Sequence, residues 1–251
     1  FGYAAVGAEK ADIANLSLTG KREFTDLMES FQVADPAFAH DQTIPPGLGD
    51  SLVPLYYQQQ KIGLELLELC AESLNLSKDY FSKDHTGRRH RTVLRVTRYP
   101  ALSSVGEDVV LEGEVTRISP HRDLGTLTLL HQDDQGGLEV QDPKSNEWVP
   151  VPPQEGALVI NVGNLLMRWT NQEFRSSVHR VVPVPGKSVD NDRFSVIMFL
   201  NPCDDVNITP INTGRPSAYE TANVGEYMDC KLTQIFDPSA RDDKGDCIYD
   251  D

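Results

Sequence analysis

The hydrophobic period of this chain changes once, near residue 92, and that change limits what it can fold into. Before it, Leu52, Leu55, Tyr56, Ile62, Leu66, Leu69 and Cys70 recur at largely three- and four-residue spacing. That pattern predicts a helix over about Leu52 to Leu74 with a single apolar stripe. A short second helix is expected to run to Phe81. After the change, short runs of alternating character follow one another: 93–99, 126–130, 137–140, 157–161, 178–182 and 193–199. Asp134-Gln135-Gly136-Gly137, Gln154-Glu155-Gly156 and Pro185-Gly186-Lys187 supply turns between them. A helix followed by many short strands predicts a mainly β fold with flanking helices, a double-sheet jelly roll.

The 251 residues suit one catalytic domain over 1–251, with helical support about 1–92, a β core about 93–202 and a C-terminal helix and tail over 203–251. The first fifty residues read as irregular, apart from a short amphipathic stretch around Arg22 to Phe31. Glu226 to Phe236 is expected to be helical, and the acidic end after Pro238 a tail. The chain starts at Phe1 without Met, so an N-terminal part is expected to be missing.

Twenty-three basic against 38 acidic residues leave a net charge of −15, which argues against a nucleic-acid partner, since a phosphate backbone calls for a basic stripe. The one basic cluster, Arg88-Arg89-His90-Arg91, reads as a solvated loop edge. No apolar run reaches the roughly 18–20 residues of a membrane helix, so no membrane partner is expected. The four cysteines, Cys70, Cys203, Cys230 and Cys247, are widely spaced and read as reduced thiols of a cytoplasmic protein.

Chemistry concentrates in His121-Arg122-Asp123. On a strand or its extended end, residues i and i+2 point to the same side, so an imidazole and a carboxylate converge on one point. Two His and one carboxylate suit Fe(II) with open positions left for substrate and O2. The third ligand expected is His179, in a predicted strand that a jelly roll can bring alongside. Alone, H-x-D or one His in an apolar strand is more often structural. A second i, i+2 pair raises the signal: Arg193 offers a planar fork suited to a carboxylate, and Ser195 adds a hydroxyl.

The segment from His121 through Leu124-Gly125-Thr126 to Gly136-Gly137-Leu138-Glu139-Val140 resembles the iron-binding core of the isopenicillin N synthase-like Fe(II)/2-oxoglutarate-dependent dioxygenases. So do Trp148-Val-Pro-Val-Pro-Pro, Val159-Ile-Asn-Val-Gly-Asn-Leu-Leu, Trp169-Thr-Asn, Ser177-Val-His-Arg-Val and Arg193-Phe-Ser195 with Phe199-Leu-Asn-Pro202. The match runs nearly unbroken over 119–202; upstream and downstream it is looser. It implies a double-stranded β-helix of cupin-like type, with Fe(II) on His121, Asp123 and His179. It also implies 2-oxoglutarate on Arg193, Ser195 and Tyr99, and O2 at the iron. Oxidation of a small organic substrate would release succinate and CO2. The alternative within the resemblance is an iron oxidase that uses no 2-oxoglutarate; a non-catalytic ligand-binding jelly roll would usually have lost a metal ligand. Arg122 stands where a small residue is common in the family, and as the i+1 side chain it should face away from the iron.

Residues 95, 97 and 99 share a predicted strand face. Arg95, Arg98 and Phe199 are expected to contact the primary substrate, and the arginines suggest a small polar or anionic molecule. His40, His85 and His90 read as solvent-exposed loop residues and His131 as surface or strand packing. Trp148 and Trp169 read as core, and Asn161 and Asn164 as flanking a tight turn through Gly163, with Asn161 able to face the cavity.

Overall fold

Alternation along the strands closes the chain into two facing sheets. The computed structural model describes residues 2–6, 8, 24–37, 44–45, 47–105, 114–236 and 249. The larger sheet has six strands in the order β1 (Gly2–Ala4), β3 (Glu29–Ala34), β4 (Val93–Tyr99), β12 (Arg193–Leu200), β7 (Leu127–Gln132) and β10 (Val159–Val162), every pairing antiparallel. The smaller has four: β6 (Ile118–His121), β11 (His179–Val181), β8 (Leu138–Gln141) and β9 (Trp148–Pro150). Two short ribbons complete the β structure, β2 (Phe24–Asp26) with β5 (Glu114–Thr116) and β13 (Asn207–Ile208) with β14 (Ala222–Asn223). The helices are α1 (Gly49–Ser73), α2 (Asn164–Trp169) and α3 (Val224–Phe236). This is the expected double-stranded β-helix.

The two faces of the large sheet do different work. On one, Leu94, Leu127, Leu129, Met198 and Leu200 meet Leu52, Tyr56 and Leu67 of α1 in the main core. Gly63 lets the helix approach, since a Cβ there would lie 3.0 Å from Leu200 Cδ2. Each fully buried aliphatic side chain contributes about 1.5–3 kcal/mol, so this face holds the sheet to the helix. On the other, Leu130 of β7 packs with Leu138 of β8 and Val181 of β11 between the sheets. Because alternate residues go to opposite faces, Arg95, Thr97, Tyr99, Arg193, Ser195 and Phe199 all face the space between the sheets.

A glycine corner sets the loop that leaves β6. Gly163 ends β10, and a Cβ there would lie 2.2 Å from Gly125 O. The amides of Gly163, Asn164 and Leu165 donate to the carbonyls of Thr126, Asp123 and Leu124 at 2.9, 2.8 and 3.0 Å. The opening of α2 is thus stitched to residues 123–126.

Several sequence expectations are corrected. Residues 24–26 and 29–34 are strands, not irregular chain, and β3 borders β4 in register, with Gln32 opposite Arg95. In place of a second helix to Phe81 there are turns and one 3-10 turn at Ser82–Asp84. Gly163 does turn the chain, but it caps α2, which the strand pattern missed. Trp169 is core, whereas Trp148 sits part-exposed in β9 beneath the Arg180 guanidinium, 4.2 Å from its ring centroid. The basic cluster is tied into ion pairs: Arg88 with Asp84 and Asp205, Arg89 with Asp204, and Arg91 with Asp204 and Asp229. Cys230 is disulfide-bonded, while Cys70 and Cys203 are free thiols. Spacing could not show which distant cysteines the fold brings together, and the cytoplasmic reading loses the support it drew from reduced thiols. No described helix is long and apolar enough to cross a membrane. His40, and the tail after Pro238 apart from Tyr249, lie outside the described residues.

The largest reversal concerns the loop histidines. His90 is buried, 3.1 Å from the Asp35 carboxylate. His85 is fully enclosed, with Nδ1 2.8 Å from Phe81 O and Nε2 2.9 Å from Thr126 Oγ1. Burial pushes its pKa down to about 3. A base whose folded pKa lies below its unfolded value near 6.5 stabilises the protein above that value and loses this contribution as the pH falls toward 3. Thermal unfolding across that window should therefore show stability falling by up to about 1.4 kcal/mol per pH unit from this group, and His85→Asn should flatten the slope.

Candidate functional site

Three polar side chains meet where β6 and β11 run side by side. His179 is the cross-strand partner of His121, and their ring centroids lie 4.3 Å apart. Asp123 follows β6 in the glycine-cornered loop. Its Oδ1 lies 3.6 Å from His121 Nε2 and 3.7 Å from His179 Nε2. One ligand atom from each residue falls within 4.8 Å of the others, a grouping that could hold a metal ion.

Hydrogen bonds fix which atoms point inward. His121 Nδ1 lies 2.7 Å from Ser119 O and His179 Nδ1 3.1 Å from Ser177 O. With those nitrogens protonated and donating, each Nε2 lone pair faces the shared centre, the arrangement by which outer partners orient metal-binding imidazoles. Asp123 Oδ2 accepts from Thr128 Oγ1 at 2.6 Å and from Asn161 Nδ2 at 2.7 Å. Thr128 and Asn161 are themselves cross-strand partners. Oδ1 is left for the centre.

The electrostatics agree with a cation site. Burial alone would raise the Asp123 pKa, but His179 and His121, aided by the Asn161 amide, hold its carboxyl well below the usual range. For His121, burial opposes charge and is outweighed by Asp123 and the Ser119 carbonyl, so its pKa rises. For His179, burial and repulsion from His121 prevail over Asp123, and its pKa falls. The result is an ionised carboxylate facing two imidazoles.

A second polar wall lies on the facing sheet. Arg193 is 1% exposed, with Nε donating to Gly136 O at 2.8 Å and Nη2 to Gln132 Oε1 at 3.2 Å. Its guanidinium sits 4.8 Å from the ring centroid of Tyr99, its cross-strand partner. Nη1 has no hydrogen-bond partner, and neither does the buried Oγ of Ser195. The Thr97 hydroxyl, in register with Ser195, is equally unpartnered. A buried polar group left unpaired costs about 1–3 kcal/mol, so one guanidinium nitrogen and two hydroxyls left unpaired together fit a carboxylate ligand. A keto acid with a distal carboxylate, which 2-oxoglutarate is, suits a wall of this kind facing a metal site.

The structure brings most of the expected residues together, and one of them, Arg98, it does not. Arg98 faces the other way, because i+1 on a strand reverses the side. It pairs with Glu29 at 2.5 Å and Asp192 at 2.8 Å and is not in the cavity. Arg95 is on the inner face, its guanidinium 5.2 Å from the Phe199 ring centroid. Arg122 is exposed, as expected, and donates through Nε to Ser176 O at 3.2 Å. His131 is exposed. The grip of Thr128 and Asn161 on Asp123 was missed, although both sit at inward positions of alternating strands. So was Thr97, whose signal was its alignment with residues 95 and 99.

Known proteins resemble this chain in sequence and fold. The family model of the 2OG-Fe(II) oxygenase superfamily matches residues 92–202. A 2-oxoglutarate-dependent dioxygenase of Aspergillus rugulosus is 32% identical over 231 residues, covering 84% of this chain and 68% of its own length. A proline hydroxylase of Petromyces alliaceus is 32% identical over 250 residues, covering 94% of this chain and 75% of its own. Among solved structures, a Neurospora crassa protein in complex with alpha-KG and thymine matches with a TM-score of 0.72 at 28% identity, over 92% of this chain and 73% of that one. The chain therefore belongs to the 2OG-Fe(II) oxygenase superfamily, an oxidoreductase that works with Fe(II), 2-oxoglutarate and O2.

Proposed function

We propose that His121, Asp123 and His179 hold the iron, that Arg193, Ser195 and Tyr99 hold the distal carboxylate of 2-oxoglutarate, and that the substrate is a small polar or anionic molecule. The observation that carries this reading is the pair of facing walls. One has three ligand atoms within 4.8 Å, and the other has a buried guanidinium and hydroxyl with unmet hydrogen bonds. When bound, iron and 2-oxoglutarate together activate O2, with release of succinate and CO2 and oxidation of the substrate. Hydroxylation is the default outcome, and desaturation or oxidative cyclisation draw on the same chemistry.

The chain's own residues set the stage for it. Ser119 and Ser177 hold the imidazoles edge-on to the centre. Thr128 and Asn161 keep the carboxylate turned, and the Asn161 amide helps His179 and His121 keep it ionised. Leu130, Val159 and Ile197 line the inter-sheet space and keep water from the clamp, which strengthens every charge interaction within it. Arg95 and Phe199 form the remaining described wall and would orient the substrate, Arg95 through an anionic or carbonyl group. A relative named a proline hydroxylase and a similar structure in complex with thymine support a small-molecule substrate.

His179→Ala should abolish both stoichiometric Fe(II) binding, measured by anaerobic titration, and turnover, with unchanged far-UV circular dichroism. A variant that still binds one iron and turns over overturns the ligand assignment. Leaving a buried carboxylate without its partner costs about 3–5 kcal/mol. At about 1.4 kcal/mol per tenfold, Arg193→Ala should weaken 2-oxoglutarate by two to three orders of magnitude. Succinate should form at near one per product, and full turnover without added 2-oxoglutarate would overturn the cosubstrate assignment for Arg193 and Ser195.

A further inference from the structure

A cavity lies where Arg122, the end of β8 at Gln141 and the segment 172–177 come together. It has a volume of about 320 Å³ and is lined by Arg122, Met167, Gln172, Arg175, Ser176 and Tyr219, among others. Ser177, whose carbonyl positions His179, belongs to the lining, whereas His121, Asp123, His179, Arg193, Ser195 and Tyr99 do not. We propose that this cavity is an anion-binding site separate from the oxidation chemistry, taking a small organic anion whose charged group sits between Arg122 and Arg175 and whose apolar body rests on Met167 and Pro143.

Charge is the first argument. The chain carries 38 acidic residues, yet none lines this cavity. Arg175 makes no ion pair among the described residues, and Arg122 spends only Nε, on the Ser176 carbonyl. The acids beside the cavity are engaged elsewhere. Glu173 pairs with Arg215, and Asp142 accepts from the amides of Lys144 and Ser145 at 2.7 and 3.0 Å. Two guanidinium forks at one opening, with nearby carboxylates withdrawn, are suited to a carboxylate or phosphate.

An unmet hydrogen bond is the second. Ser176 is 5% exposed and lines the cavity, and its Oγ has no hydrogen-bond partner. An anion lodged there would accept from it. Backbone strain is the third. Asn171 and Gln172 are consecutive non-glycine residues at φ 50° and 66°, a conformation that costs energy and persists only where surroundings enforce it. Here Asn171 enforces it by donating to Thr213 Oγ1 and Pro216 O and accepting from the Ala218 amide. The effect is to bring Gln172 Nε2 to 3.2 Å from the Tyr219 hydroxyl at the cavity wall. The volume is at the lower end for small-molecule sites, about 300–1,000 Å³, which limits the ligand to roughly the size of one substituted ring.

Isothermal titration of the full chain with benzoate and with phenyl phosphate tests this, since the two probes separate a carboxylate from a phosphate headgroup. At least one should bind, with affinity unchanged in Arg193→Ala. Arg122→Gln and Arg175→Gln should each weaken it at least tenfold, while Arg175→Lys should lose less. Both arginines are exposed, so their variants should melt at the parent temperature. Failure of both probes to bind overturns the proposal. So does binding that is lost in Arg193→Ala and kept in the Arg122 and Arg175 variants, which would place the probes in the inter-sheet cavity. The outcome is independent of iron and of turnover, so the oxygenase reading stands or falls separately.

Discussion

The Asp123 carboxylate is the group on which the rest of the structure depends. It has to be buried, ionised and turned with one oxygen free, and each condition has a separate cause. The loop that carries it is stitched to the opening of α2 by main-chain hydrogen bonds. A cross-strand pair on the large sheet, Thr128 and Asn161, grips the second oxygen. The two histidines supply the opposing charge that keeps the carboxylate ionised against burial. Losing a buried partner of an ionised group is far more costly than losing a surface pair, so these contacts make the most sensitive region of the molecule.

The large sheet shares its labour by alternation. Its helix-facing side binds the scaffold through aliphatic residues, and its inner side sets the polar residues the chemistry requires among apolar ones such as Leu130, Val159 and Ile197. This explains how β12 serves both ends, with Met198 and Leu200 in the core and Arg193 and Ser195 in the clamp. It also explains how a buried arginine without a carboxylate partner is tolerated: the rigid sheet around it was already stabilised from behind.

How much of this could be read in the sequence follows from the same geometry. His121 with Asp123, and Arg193 with Ser195, were legible as pairs because period-two spacing states which side chains share a side, while His179 and the roles of all five came from the resemblance over 119–202. The same rule, applied to Arg98, would have removed it from the cavity; proximity in sequence to Tyr99 was given more weight than parity. His85 and His90 were misread because polar neighbours suggest solvent, whereas their burial comes from Trp169 stacking and Asp35, groups far away in the chain. Helix α2 was hidden because six residues are too few to display a period. β2 and β3 were missed because their partners lie far along the chain, and only a complete fold supplies them.

The glycine corner has one more implication, for how such a protein can change. Gly125 and Gly163 meet backbone to backbone, so the loop that carries Asp123 is located by main-chain atoms, which are alike whatever side chains surround them. The corner meets the strand of Phe199 through the Leu200 main chain, where the Thr126 amide donates to Leu200 O at 2.9 Å, and not through inward side chains such as those of Arg95 and Phe199. New substrates can therefore be acquired by exchanging those side chains, while the oxidising centre keeps its coordinates through the exchange.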